Sequence, residues 1–466
     1  MAQGGDPAQD RILTADTIAA IATPPGVGAL GILRLSGPGA LEASRRFLRP
    51  GKEGLPARRA VVCRAFFEGA PLDRVVAVYH PGPATATGED LVEVTAHGSA
   101  YILGRLLSAA LASGARAALP GEFTQRAFLN GRVDLAQAEA VCDLIRARTA
   151  RSHRAALEQA EGRLSREARA AAADLADLLT RLEASLDHPE EDVPFVEPGA
   201  AAAEMGEVRE RLLTLAGTFA AGRLLNEGVR VAIVGRPNAG KSSLLNALLG
   251  AERAIVCPTP GTTRDTLEEA CDLDGIPAVL IDTAGLTDRP ADEAEALGLE
   301  RTAKALERCD LALLVEDGSR PFDGEDEAAC CRVQEKAAAH GVRVLRVRSK
   351  ADLPTAPGAP ACDAAVSART GAGLTGLVQA VSRELAGESG AGDGVTVTSA
   401  RHHAALSACA SELASCRRTA SERPEGWEEL AASGLAASLR ELGAITGEDA
   451  GQDVLARIFA RFCVGK

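Results

Sequence analysis

The chain has 466 residues, enough for about three domains. Apolar residues make up 46% and charged residues 25%, which excludes a largely disordered chain. Fifty-one Lys and Arg against 64 Asp and Glu leave a net charge of −13. A chain this acidic is ill suited to wrapping bare nucleic acid, so an RNA partner needs a local basic surface or a second protein.

Residues 1–14 are polar and read as a disordered tail without the basic-then-apolar pattern of a signal peptide. No apolar run approaches the roughly 20 residues of a membrane-spanning helix. A soluble cytoplasmic protein is the expectation. Eleven cysteines form no C-x-x-C pair, which argues against a zinc site or a disulfide framework. Most of these thiols read as buried small apolar residues.

From residue 15 to 132, short apolar runs alternate with Gly and Pro turns. Ile18–Ala22, Gly31–Leu35, Val75–Tyr79 and Leu91–Val94 read as strands, and Ala40–Leu48 and Tyr101–Leu111 as helices. This is a small α+β domain. Residues 133–227 are rich in Ala, Leu, Arg and Glu. Leu135, Ala138, Cys142 and Ile145 share a helical face, as do Leu175, Leu178, Leu179, Leu182 and Leu186. Long helices are predicted to Leu186, with another over about Ala201–Leu225. Residues 228–386 change again: Val229–Val234, Ala278–Ile281, Leu311–Val315, Val342–Val347 and Ala364–Val366 read as strands of a doubly wound α/β domain. Residues 387–466 open on a Gly-rich linker and return to helices. The α/β domain thus reads as inserted between two helical segments.

Gly235 to Ser242 matches G-x-x-x-x-G-K-[ST] between a strand and a helix. In Asn238, Ala239, Gly240, Lys241, Ser242 and Ser243 the backbone N–H groups and the helix dipole suit phosphates. Lys241 supplies charge to the β and γ phosphates, and Ser242 can ligate Mg²⁺. Asp282, Thr283, Ala284 and Gly285 end a strand, where a carboxylate can hold Mg²⁺ through water. Gly261, Thr262 and Thr263 lie where a switch loop belongs, and Thr263 can complete the Mg²⁺ shell. Ser349, Lys350, Ala351 and Asp352 follow a later strand. The Asp352 carboxylate can accept both hydrogen bonds of a guanine N1 and N2 edge. Ser367, Ala368 and Arg369 fit a contact to guanine O6. Together these motifs describe a GTPase. Ser349 stands where Asn is usual, and Leu286, unlike Gln, cannot orient the attacking water, so another polar group must.

The chain resembles the tRNA-modifying GTPase family known as MnmE or TrmE. The resemblance runs from Asp16 to Lys466. It rests on the ending Phe462-Cys463-Val464-Gly465-Lys466, the opening Asp16 to Gly26, and the stretches Thr87 to Glu93 and Pro120 to Asn130. It implies an N-terminal α+β dimerisation and folate-binding domain, a helical domain and an inserted Ras-like P-loop GTPase domain. It implies a homodimer that, with an MnmG-type flavoprotein, adds a carboxymethylaminomethyl or aminomethyl group to carbon 5 of the wobble uridine of tRNA. A tetrahydrofolate derivative (the 5,10-methylene or 5-formyl form) supplies the carbon, while FAD and NADH enter only through the partner.

Carried over by position, Asn238 ligates K⁺ through its side chain, and Cys257, Thr259 and Thr262 add backbone carbonyls. The family commonly has Thr-Asp-Ile-Ala where this chain has Cys257, Pro258, Thr259 and Pro260. Glu295 takes the place of the water-positioning glutamate, although this chain has one extra residue between Gly285 and Asp292. Lys241 and Asn238 complete the catalytic set. Arg34, Glu93, Arg132 and Lys466 fall on the folate positions, and Cys463 is a candidate functional thiol. The basic stretch Arg45, Arg46, Arg49, Lys52, Arg58, Arg59 and Arg64 reads as an RNA contact or as a solvated face. A ribosome-assembly GTPase switch is the alternative function, sharing the nucleotide motifs without folate binding.

Overall fold

The computed structural model describes residues 16–51, 54–187, 196–251, 267–282, 302–386, 394–422, 426–448 and 451–466. They divide into two compact units, Met1–Cys142 with Thr446–Lys466, and Asp143–Ile445.

The first unit is built on seven strands: β1 (Ile18–Ile21), β2 (Leu30–Ser36), β3 (Leu48–Pro50), β4 (Val61–Phe67), β5 (Ala70–His80), β6 (Leu91–His97) and β7 (Arg116–Ala117). Their order in the sheet is β3-β4-β5-β6-β2-β1-β7. Pairing is antiparallel except between β1 and β7. Alternation sends Leu33, Leu35, Cys63, Ala65, Val75, Ala77, Val92 and Val94 to one face. There they pack with Phe47 of the helix Ala40–Phe47 and Leu103 and Leu106 of the helix Ala100–Ala112. On the other face Ile18 and Ala20 meet Phe123 of the helix Glu122–Leu129. Phe459 and Phe462 pack on Leu135 and Ala138, so the end of the chain is part of this unit's core.

The second unit holds a six-stranded sheet: β8 (Val229–Val234), β9 (Leu267–Leu273), β10 (Ile276–Asp282), β11 (Leu311–Asp317), β12 (Arg343–Ser349) and β13 (Ala364–Ala365). The order is β13-β12-β11-β8-β10-β9, parallel except for the edge strand β9. β8, β10 and β11 read as apolar runs, interrupted in β8 by Arg230, because both faces are covered. The helix Ala400–Glu422 packs along Pro198–Gly217. Val397 N–H donates to Thr218 Oγ1 and Gln159 Nε2 to Thr396 O, so the segment after the sheet returns to the helices before it.

The helical region differs from the expectation in its breaks. Residues 133–186 form three helices, Leu135–Arg146, Ala150–Ala160 and Arg163–Asp187. The first break is a capping box between Thr149 and Ser152. The second is Gly162 at φ +77°. The stretch expected over Ala201–Leu225 is two helices that meet at Thr218, Pro198–Gly217 and Phe219–Glu227. Among the described residues no helix is long and apolar enough to cross a membrane. Six of the ten described cysteines are buried.

Candidate functional site

The phosphate loop leaves the end of β8 and opens the helix Lys241–Ala251. Gly235 sits at φ +148°, and a Cβ there would lie 2.3 Å from the Val315 carbonyl oxygen of β11, so only glycine fits. Asn238 adopts φ +63°, a left-handed conformation that Asn tolerates better than most residues. Lys241 is buried, and its Nζ donates to the carbonyls of Gly235 (2.9 Å) and Arg236 (2.8 Å), spanning the loop. Burial pushes its pKa below the usual lysine value, and the Asp282 carboxylate opposes that shift. Ser242 Oγ donates to Asp282 Oδ2 at 2.9 Å, which joins the helix start to the end of β10. Two oxygen donors so placed suit a hard cation such as Mg²⁺. Ser243 is exposed beside them.

The base-binding candidates stand at the ends of β12 and β13. Ser349 is buried, and its single O–H is shared between Ala239 O (2.6 Å) and Glu316 O (3.0 Å). The hydroxyl thus ties the phosphate loop to β11. Lys350 (φ +57°) pairs its Nζ with Asp317 Oδ2 at 2.5 Å. Asp352 accepts from Ser367 Oγ (2.7 Å) and Arg369 Nε (2.9 Å). The Ser367 hydrogen bond, then Arg369, holds its carboxyl below the usual range. Ala351 N–H donates to Val366 O, which closes the two base loops on each other. Ala368 is half-buried between Ser367 and Arg369. The candidates Cys257, Pro258, Thr259, Pro260, Gly261, Thr262, Thr263, Thr283, Ala284, Gly285 and Glu295 lie outside the described residues.

The second constellation lies in the first unit. Arg34 on β2 and Glu93 on β6 are direct cross-strand partners. Arg34 Nε and Nη2 reach Glu93 Oε1 at 2.9 and 2.7 Å, and both side chains are partly exposed. The Arg34 guanidinium lies over the Phe123 ring, 5.8 Å from its centroid. Phe123 N–H donates to Lys466 O at 3.2 Å. One residue thereby links the Arg34–Glu93 pair to the C-terminus. The tail is held further by Gly121 N–H to Cys463 O and by a bridge between Pro120 and Val464. Gly465 stands at φ +93°, where a Cβ would lie 2.6 Å from Ile21 O. Cys463 is exposed. Arg132 is exposed and stacks its side chain near Gly88, in the stretch Thr87 to Glu93.

Sequence reasoning missed the ionic cluster that supports this tail. Arg126 is fully buried and reaches Asp16 Oδ1 (2.6 Å), Glu122 Oε1 (3.0 Å) and Glu89 Oε2 (3.1 Å). Arg116 reaches Asp16 Oδ2 and Glu122 Oε1, both at 2.6 Å. Burial alone would raise the carboxyls of Asp16 and Glu122, but the two arginines outweigh it and both lie below the usual range. The available signal was Glu122 with Arg126 at i,i+4 on a short helix.

A strand–loop–helix with Lys241, the Ser242–Asp282 pair and Asp352 at the same sheet edge defines a P-loop GTP-binding domain. The family model described as MnmE helical domain matches residues 135–463, and that described as GTP-binding protein TrmE N-terminus matches residues 17–132. The tRNA modification GTPase MnmE of Chloroflexus aurantiacus is 44% identical over 465 residues, covering 97% of this chain and 100% of that protein. That of Moorella thermoacetica is 44% identical over 469 residues, covering 97% and 99%. The solved G domain of the T. maritima FeoB iron transporter is 25% identical at a TM-score of 0.24, covering 33% of this chain and 96% of that one. The chain belongs to the MnmE (TrmE) family of tRNA modification GTPases.

Proposed function

We propose that this chain hydrolyses GTP and, with an MnmG-type flavoprotein, installs a carboxymethylaminomethyl or aminomethyl group on carbon 5 of the wobble uridine of tRNA. A tetrahydrofolate derivative is the one-carbon donor, and FAD and NADH belong to the partner. The protein works as a homodimer in the cytoplasm. The observation that carries this reading is the seating of Lys466 against Phe123, beneath the Arg34–Glu93 pair. A GTPase switch that lacks chemistry of its own has no use for such an arrangement.

In the nucleotide site, Lys241 exchanges its bonds to Gly235 and Arg236 for the β and γ phosphate oxygens of GTP. Its burial strengthens that attraction. Ser242 and Thr263 would hold Mg²⁺, with Asp282 behind Ser242. That ion neutralises phosphate charge. Asn238, with carbonyls of Cys257, Thr259 and Thr262, would hold K⁺ at the exposed rim of the loop, where it supplies the positive charge of an arginine finger. Glu295 orients the attacking water. Asp352 selects guanine, and Ser349 keeps its loop in register with the phosphate loop.

In the sheet site, the Arg34 guanidinium suits a carboxylate and the Glu93 carboxylate suits a pterin N–H edge. Arg132 and Lys466 add charge for the folate tail. Reconstitution with flavoprotein, tRNA, GTP and 5,10-methylenetetrahydrofolate tests the reading. Glu93→Gln is expected to lose folate binding and modification while GTP hydrolysis persists. Lys241→Ala is expected to lose hydrolysis and modification together. Modification that survives Lys241→Ala would reduce the chain to a scaffold. Failure of the unsubstituted protein to bind folate would favour the ribosome-assembly switch.

A further inference from the structure

The sheet of the first unit is covered unevenly. One face is sealed along its whole width by two helices. On the other face, the end at β1 and β2 is covered by the helix Glu122–Leu129. The end at β4 and β5 is open, with Val62 54% and Val76 38% exposed and opposite each other. Beside them runs a row of arginines. Arg49 on β3 pairs in register with Arg64 on β4, and Arg64 with Arg74 on β5. All three are exposed and lie on the face away from Cys63, Ala65 and Val75.

Like charges directly opposite one another weaken a sheet. No acid offsets them: among the described residues Arg64 and Arg74 have no side-chain partner, and Arg49 donates to the carbonyls of Arg45, Arg46 and Leu48 and lies over the Phe66 ring, 5.8 Å from its centroid. Two other members of the basic stretch are engaged elsewhere. Arg46 donates to Ser113 O and Arg58 to Ala84 O. Residues 41–80 carry eight Lys or Arg against four Asp or Glu, in a chain whose net charge is −13. This is the local basic surface that an acidic chain needs to hold RNA.

We propose that the Arg49–Arg64–Arg74 row on the open half of this sheet binds the phosphate backbone of tRNA. The inference rests on the tRNA-modifying reading above. The row shares a face with Arg34 and Glu93: Arg74 on β5 lies one strand from Glu93 and four residues along from its partner Val78, roughly 15 Å away, with Arg64 and Arg49 farther out. Guanidinium groups at that distance hold the backbone on one side of a nucleotide delivered to the pair. The contacts position the RNA and read no sequence.

The test is tRNA binding by the full-length protein across a salt series, by fluorescence anisotropy of a labelled tRNA transcript. Arg64→Ala with Arg74→Ala is expected to weaken binding about tenfold and to flatten the salt slope by about two. Arg64→Lys with Arg74→Lys is expected to restore most of the affinity, because a phosphate accepts either cation. GTP hydrolysis stays unchanged, and the unfolding midpoint does not fall, because the alanines relieve the like-charge pairing. Equal affinity in the alanine variant overturns this proposal and leaves the modification reading standing. So does a change of oligomeric state in sedimentation, which would assign the face to a second copy. Absence of tRNA binding by the unsubstituted protein, with the flavoprotein present, overturns both.

Discussion

The two candidate sites are assembled on opposite plans. The phosphate loop is contiguous: Gly235 to Ser242 lies between one strand and one helix, and local geometry fixes most of it. The sheet site draws Arg34, Glu93 and Lys466 from distant parts of the chain. It holds them through a buried ionic cluster, a glycine and a C-terminal tail. A contiguous site survives many changes elsewhere in its fold. An assembled site depends on each of its supports, and those supports are where the comparison is tested.

The largest effect is expected at Arg126. Arg126→Met leaves Asp16, Glu89 and Glu122 without their shared buried partner, which costs about 3–5 kcal/mol. Urea unfolding of the first unit should shift accordingly, with Lys466 and Cys463 losing protection in hydrogen exchange. The same cluster sets an acid limit. Asp16 and Glu122 have folded pKa values below their ordinary 3.8 and 4.5. Their stabilisation is therefore full above about pH 4.5 and is lost as pH falls through the folded values. A unit whose stability rose on acidification through that window would contradict the cluster's assigned charges.

Next comes Asp352→Asn. An amide cannot accept both guanine N–H bonds, so GTP affinity should fall about 100-fold, while a xanthine nucleotide, with a carbonyl at that edge, gains. Equal losses for both nucleotides in a competition assay would place the base elsewhere. Gly465→Ala sharpens the contrast between the two plans. A Cβ at φ +93° against Ile21 O displaces the tail, so modification should fall at least tenfold with GTP hydrolysis within twofold of normal. Parallel losses in both assays would mean that the sites do not differ in this way. The smallest effect is expected at Ser349→Ala. It leaves Ala239 O and Glu316 O without their shared donor, about 1 kcal/mol, read as a severalfold rise in the KM for GTP.

The sequence made the contiguous site legible because its chemistry is written in neighbouring residues. β8, β10 and β11 stood out as apolar runs for the same reason. Ser349 stood out only as a departure from the usual Asn, and its hydroxyl's place between the phosphate loop and β11 is visible only once those two elements are adjacent. The first unit was less legible. Its strand order depends on pairings between distant segments, and β4 is interrupted by a register shift after Ala65 that blurs its alternation. Arg34, Glu93, Arg132 and Lys466 were singled out through the family resemblance, since nothing in their spacing joins them. Arg126 carried no such mark, because a buried arginine and a surface arginine look alike in sequence. The helix Gly324–Ala339 was passed over despite its capping box at Asp323 and Asp326, since its apolar periodicity is weak.

The central claim is that the nucleotide site and the sheet site serve one reaction on tRNA. Mass spectrometry of tRNA nucleosides tests it most directly, in a strain lacking this chain and supplied with the unsubstituted, Lys241→Ala or Glu93→Gln copy. The account predicts that 5-aminomethyl-type uridines return with the unsubstituted copy alone. An unchanged nucleoside profile across all of these strains, with no second copy of the protein present, would contradict it.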